Sequence, residues 1–144
     1  MYERVLFPTD VGAPPERALE AALDLVERYD AELHVLTVVD TTRISVDVET
    51  GPTLEEFERT GSATVETLVE RLRERGYERT VGAVVHGRAH TGILTYAENH
   101  DIDLIVMGTH GRTGLDRYLV GSTTEKVVRL SDVPVLTIRH RPET

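Results

Sequence analysis

Cysteine and tryptophan are missing from the 144 residues, and lysine occurs once, at position 126. Without cysteine there are no disulfides and no thiolate metal sites. The histidines at 34, 86, 90, 100 and 140 are scattered with no ligand-like spacing, so a metal held by protein side chains alone is not expected. No apolar run approaches the ~20 residues of a bilayer span. The first residues read as a strand rather than a signal peptide, which makes the cytoplasm the expected location. Two familiar phosphate motifs are also missing. There is no G-x-x-x-x-G-K-[ST], since Lys126 falls five residues after Gly121, and no G-x-G-x-x-G follows the first strand.

Negative charge is what the chain has in excess. Twenty-five acidic residues face sixteen basic ones, for a net charge of −9, and all the basic residues except Lys126 are arginine. Such a surface repels nucleic acid and anionic membranes, so neither is an expected partner. It also repels free nucleotides at long range, so a nucleotide site here must concentrate local donors or bring in a cation. Abundant carboxylates with almost no lysine fit a salt-adapted source, while arginine in place of lysine also fits a GC-rich genome. The length suits one domain, residues 1–144, able to bury roughly 68–70% of its unfolded surface.

Hydrophobic periods of 2 and 3.6 alternate along the chain. Val5-Leu6-Phe7 forms a short strand ended by Pro8. Pro14-Pro15 open a helix whose apolar stripe runs through Ala18, Ala21, Ala22, Leu25, Val26 and Tyr29. Leu33 to Val39 is a second strand, and Asp40 to Pro52 a loop. Thr53 and Glu56 form a capping box for a helix with Val65, Leu68, Val69 and Leu72 on its apolar side, reaching to Gly76. Val81 to Val85 gives a third strand and Ile93, Leu94 and Ala97 mark a third helix. Leu104 to Met107, a helix with Val127, Val128 and Leu130, and Val135 to Ile138 complete a β-α-β-α-β-α-β-α-β order. That order predicts an α/β fold with a parallel sheet and helices on both faces. In such a sheet, ligands bind at the carboxyl ends of the strands where the strand order reverses.

The stretch between the fourth strand and fourth helix carries the strongest chemical signal. Gly108-Thr109-His110-Gly111 is followed by nine residues and then Gly121-Ser122. Glycines at a strand-to-helix crossover let backbone N–H groups close on an anion, and a helix N-terminus adds unpaired donors and a positive dipole end. A ligand-free reading exists as well: Ser122-Thr123-Thr124-Glu125 is itself an S-x-x-E capping box, and Gly111 and Gly114 suit tight turns.

The spacing Gly108-x-x-Gly111-(nine residues)-Gly121-Ser122 resembles the G-2x-G-9x-G-[S/T] signature of ATP-binding universal stress proteins. Arg4 to Asp10, Arg17 to Ala22, Glu32 to Asp40, Asp103 to Gly111 and Asp132 to Ile138 resemble further segments of that family, so only about residues 41–62 lack a counterpart. The resemblance implies a five-stranded parallel sheet of order 3-2-1-4-5, Rossmann-like and of the adenine-nucleotide α-hydrolase type. It implies ATP or another adenine nucleotide between the first and fourth strands, with Mg²⁺ or Mn²⁺ arriving on the nucleotide. It also implies a homodimer through the fifth strand, Val133 to Ile138.

Carried over residue by residue, the resemblance has Gly111, Gly121, Ser122 and Thr123 contacting the phosphates, with Gly108, His110 and Thr124 beside them. Val38 presents its main chain to adenine, and Pro8 and Met107 are its apolar walls. Thr9 and Asp10 end the first strand. Asp10 accepts from ribose or adenine, or helps hold the divalent ion (a weak metal candidate), or is simply an Asx cap of the first helix. Arg112 is either a charge-assisted phosphate contact or a solvated loop arginine. His110 invites a general acid–base role, but no second residue completes a catalytic set, so no catalytic residue is expected. The chain departs from the family pattern at Val11-Gly12-Ala13-Pro14-Pro15 after the aspartate, and at Gly87-Arg88, which lacks an acidic neighbour.

Three functions follow. The first is an ATP-binding stress-response or regulatory protein, not an enzyme, in which any hydrolysis is slow. The second is a slow ATP hydrolase or an adenylyl or phosphoryl transferase of the same fold. The third is a nucleotide-free interaction module, whose relatives lose the glycine signature that this chain retains.

Overall fold

The computed structural model describes residues 1–11, 13–41, 53–109 and 121–139. Residues 42–52 of the expected Asp40–Pro52 loop, Gly12, and the site candidates His110, Gly111 and Arg112 lie outside the described residues, as do Gly114 and His140. Nine elements alternate: β1 (Arg4–Pro8), α1 (Glu16–Tyr29), β2 (Glu32–Val39), α2 (Leu54–Glu74), β3 (Thr80–His86), α3 (Ala89–Asn99), β4 (Leu104–Gly108), α4 (Ser122–Leu130) and β5 (Val135–Ile138). Every strand pairs in parallel, in the order β3-β2-β1-β4-β5. The α/β architecture and the strand order are those expected.

Both faces of the central strands are apolar, as a sheet covered on two sides requires. Val5, Phe7, Leu33, Val35, Leu104 and Val106 point to the face covered by α1 and α2. Leu6, Leu36, Ile105 and Met107 point to the other, where Ile93, Ala97 and Val127 cover them from α3 and α4. On α1 the buried residues are Ala18, Leu19, Ala22, Leu23 and Val26. Ala21 and Leu25, on the expected stripe, are only partly buried. The helix is rotated so that its bulkier leucines enter the core, where each removes more apolar area from water.

Side chains fix the helix ends as local chemistry predicts in one case and not in another. The Thr53 box is present: Glu56 N donates to Thr53 Oγ1 at 3.2 Å and Thr53 N donates to Glu56 Oε2 at 3.3 Å. The S-x-x-E box at 122–125 does not form. Gly121 is the N-cap, with no side-chain cap bond, and Glu125 instead accepts from Arg129 Nε at 2.9 Å. Glycine has a steric role on β3, where a Cβ on Gly82 would lie 2.4 Å from Val65 Cγ1, so its absence lets α2 close on the strand. At Gly87, φ is +126°, a turn that only glycine makes without strain.

Candidate functional site

The sheet splits at its carboxyl end. β1 and β2 stay in register over five pairs, Arg4↔Glu32 to Pro8↔Leu36. β1 and β4 pair only at Val5↔Leu104 and Leu6↔Ile105. Successive residues of a central strand send their backbone groups alternately to its two neighbours. Thr9 N donates to Leu36 O at 2.8 Å, so Phe7 and Thr9 face β2, and Pro8 faces β4. Proline has no N–H to continue that ladder. The crevice between strands one and four therefore begins where Pro8 stands.

The same alternation governs β2. Leu36 O points to β1 and Val39 O accepts from Gly87 N, beyond β3, at 3.0 Å. Val38, two residues after Leu36, thus aims its own N–H and C=O toward the β1 side, past the last residue of that strand. Its side chain is half-buried and lies against α3, where a Cβ on Gly92 would meet its methyls at 3.0 Å. Thr37, fully buried, donates from Oγ1 to Thr9 O at 3.1 Å and ties the two strand ends together. Pro8, Thr9 and Met107 are buried, whereas Asp10 is exposed at the rim.

Across the crevice, the start of α4 is bound to the end of β4, and the end of β4 is bound to β5. Gly121 N donates to Thr109 O at 2.6 Å, and Thr109 N donates to Ile138 O at 3.1 Å. Thr124 Oγ1, buried, donates to Gly108 O at 2.9 Å. These bonds explain why the expected Ser122 box gives way. The chain enters the helix through Gly121, whose carbonyl already accepts from Glu125 N at 2.9 Å, and Ser122 falls one position inside. Gly121 has φ −61° and ψ 154°, so close approach rather than a left-handed backbone is what glycine supplies there. The N–H groups of Ser122, Thr123 and Thr124 occupy the first turn, where an α-helix offers them no intrahelical acceptor.

The structure brings Pro8, Thr9, Asp10, Val38, Met107, Gly108, Gly121, Ser122, Thr123 and Thr124 to one end of the sheet. Its electrostatics differ from the chain average. His90, in the first turn of α3, is held below the ordinary histidine range by partial burial and then by the cations of Lys126, Arg88 and Arg129. Asp40 acts in the opposite direction, and Arg129 is itself paired with Glu125. Among the described residues no three His, Asp or Glu side chains gather as metal ligands, and no helix is long and apolar enough to cross a membrane. Two surface hollows of about 520 and 330 Å³ lie along α2, lined by residues such as Glu55, Glu58, Arg59, Glu70 and Arg73. They lie along a helix that packs on β2 and β3 rather than between β1 and β4. The residues that sequence reading missed are Thr37 and Thr109. Their signal was a small hydroxyl within or just after an apolar strand, one that buries only with a partner.

The model of the universal stress protein family matches residues 1–139. A universal stress protein of Methanothermobacter thermautotrophicus is 31% identical over 96% of this chain and 97% of its own length. Universal stress protein MJ0577 of Methanocaldococcus jannaschii is 29% identical over 98% of this chain and 97% of its own. Among solved structures, UspA from Lactobacillus plantarum superposes with a TM-score of 0.73 at 27% identity, covering 96% of this chain and 98% of that one. With the sheet order, the split between strands one and four and the family match in agreement, the chain belongs to the universal stress protein family.

Proposed function

We propose that this protein binds an adenine nucleotide, ATP or a close relative, in the crevice between β1 and β4, and acts as a stress-response regulator rather than as an enzyme. The observation that carries the reading is the convergence at one strand end of two unlike donor sets. One is the outward main chain of Val38, suited to the edge of a base. The other is the first turn of α4, suited to phosphate. Two universal stress proteins of the same fold, 20% and 19% identical to this chain with TM-scores of 0.71 and 0.68, were solved with cAMP and with dAMP. Adenine recognition is thus within reach of this architecture.

In this reading Val38 pairs with adenine through its N–H and C=O, between Pro8 and Met107. Asp10, at the rim, accepts from ribose. The amides of Ser122, Thr123 and Thr124 and the Ser122 hydroxyl hold phosphate oxygens, close to Gly108 and Gly121. The Thr124 hydroxyl has given its hydrogen to Gly108 O, so it braces the site while its amide faces the ligand. His110, Gly111 and Arg112 complete the set by resemblance. A Mg²⁺ or Mn²⁺ ion brought by the nucleotide would neutralise phosphate charge, with Asp10 the side chain nearest to that task. Phosphoryl transfer needs a positioned base or water-orienting group, and none is recognisable among the candidates. The expected turnover is therefore far below the ~1–100 s⁻¹ of kinases.

Calorimetric titration with ATP tests the site. Valine at position 121 keeps a permitted backbone, because φ is −61° there, but places a branched side chain at the helix entrance. Gly121→Val should weaken binding at least tenfold, about 1.4 kcal/mol, in a protein that still folds. Equal affinities in the two proteins, or no binding of any adenine nucleotide by the wild type, would sink the reading.

The same proposal includes a homodimer. β5 is an edge strand, and Leu136, Val128 and Leu130 beside it are 38%, 51% and 48% exposed. An apolar edge of this kind invites pairing. The pairing strand begins at Val135 rather than Val133, because Val133 N donates to Ser131 Oγ at 3.1 Å in a turn. Ile105 N and Thr109 N donate to Pro134 O and Ile138 O, so Val135 and Thr137 carry the outward groups. Thr137→Pro should convert a sedimenting dimer into a monomer with unchanged helix content; a wild type already monomeric at micromolar concentration contradicts the dimer.

A further inference from the structure

Two buried polar side chains and a partly exposed carboxylate meet at the opposite end of the sheet, on the face covered by α3. His34, 4% exposed, stands between Glu32 on its own strand and Tyr96, 5% exposed, on α3. Its Nε2 lies 2.5 Å from Glu32 Oε1 and its Nδ1 2.6 Å from Tyr96 Oη. A carboxylate only accepts, so the neutral ring carries its hydrogen on Nε2 and receives the phenol hydrogen on Nδ1. His100 closes the cluster from the end of α3. Its ring stacks on Tyr96 at 3.8 Å and 14°, and its Nδ1 donates to Tyr96 O at 3.0 Å.

His34, Leu36 and Val38 alternate onto one face of β2, and α3 lies along all three. Gly92 rests on Val38 at the crevice, and Tyr96 rests on His34 at the far end. We propose that the Glu32–His34–Tyr96 relay is a proton-operated latch that seats α3 on β2 when His34 is neutral and loosens it on acidification. A proton arriving on Nδ1 turns that atom from acceptor to donor. The Tyr96 hydroxyl must then reverse, and its own hydrogen loses His34 as acceptor in a site almost closed to water. Such a loss is costly. Because the other end of this seat touches Val38, loosening it disturbs a wall of the crevice. The latch itself does not depend on the nucleotide reading.

The charged groups facing His34 set the direction. Burial disfavours the imidazolium, Glu32 favours it, and the cationic forms of His100 and of Arg4 on β1 oppose it; burial dominates, and the ring titrates below its ordinary range. The strand neighbours in register are the apolar Leu6 and Val81. The unfolded chain therefore takes up this proton first as pH falls. The latch's contribution is complete above an ordinary histidine value of about 6.5 and drains away below it.

Amide exchange at pH 7.5 and 5.5, corrected for intrinsic rates and read without nucleotide, tests the latch. Protection across Tyr96–Asn99 should fall at least tenfold more than protection in α1. His34→Gln and Tyr96→Phe should abolish that excess. An equal acid response in wild type and either folded variant overturns the proposal. Nitrogen-15 NMR of the wild type decides the matter if neither variant folds: the neutral ring should be the Nε2–H tautomer and titrate below 6.5. An Nδ1–H tautomer, or titration at or above 6.5, overturns it.

Discussion

The two ends of the sheet are finished in opposite ways. At the amino end, β1 and β4 are stapled by a side chain. Asp103 accepts from Glu3 N at 2.8 Å and Arg4 N at 3.2 Å, and its own N–H donates to Arg4 O at 3.0 Å. Arg79 donates to Asp30 O at 2.8 Å, and the His34 relay closes the α3 side. At the carboxyl end the same two strands part after Leu6↔Ile105. What holds that end is indirect: Thr37 reaches Thr9, and Thr124 reaches Gly108. Carboxylates grip the closed end, whereas the open end is tied mainly by hydroxyls and backbone. Among the described residues, no neighbouring strand pairs with the outward main chain of Val38, and an α-helix gives the first-turn amides of α4 no intrahelical acceptor.

Breaking the closed end should cost stability without touching binding. Asp103→Ala removes two bonds to a charged, half-exposed acceptor and should cost about 2 kcal/mol in urea unfolding. ATP affinity of the folded fraction should remain within twofold, and a tenfold loss would mean that the ends are not independent. Thr124→Val acts on the open end. Losing one buried hydroxyl bond should cost about 1 kcal/mol of stability, and freeing α4 from β4 should weaken ATP several-fold. Equal affinity to the wild type would show that the Thr124 tie does not position the first turn of α4.

Much of the fold was legible because both hydrophobic periods are clean. The fifth strand falls at Val135–Ile138 as read, and Thr53 caps α2 as its spacing predicts. The rotation of α1 was not legible. Leu19 and Leu23 extend the apolar arc around the helix, and only packing decides which part of a wide arc turns inward. The absent Ser122 box shows the limit of a local motif: its geometry lost to bonds from Thr109 and Thr124, which come from the end of another strand and from within the helix. The signature residues Gly121-Ser122 fall at the carboxyl end of the sheet, at the start of α4. The His34 cluster was invisible for the opposite reason. His34 and Tyr96 lie 62 residues apart, and no spacing rule reaches that far.

The bond from Gly121 N to Thr109 O at 2.6 Å also has a meaning in polymer terms. It joins the two feet of the segment 110–120, so the entropy of closing that segment is spent when the protein folds, not when a ligand arrives. Closure entropy grows only with the logarithm of length, about 0.6 kcal/mol per doubling. Insertions or deletions between positions 110 and 120 would therefore tax folding lightly and leave both feet standing where they are. Folding alone would tolerate a change of length there, and any demand for a fixed spacing between Gly111 and Gly121 must come from the proposed ligand.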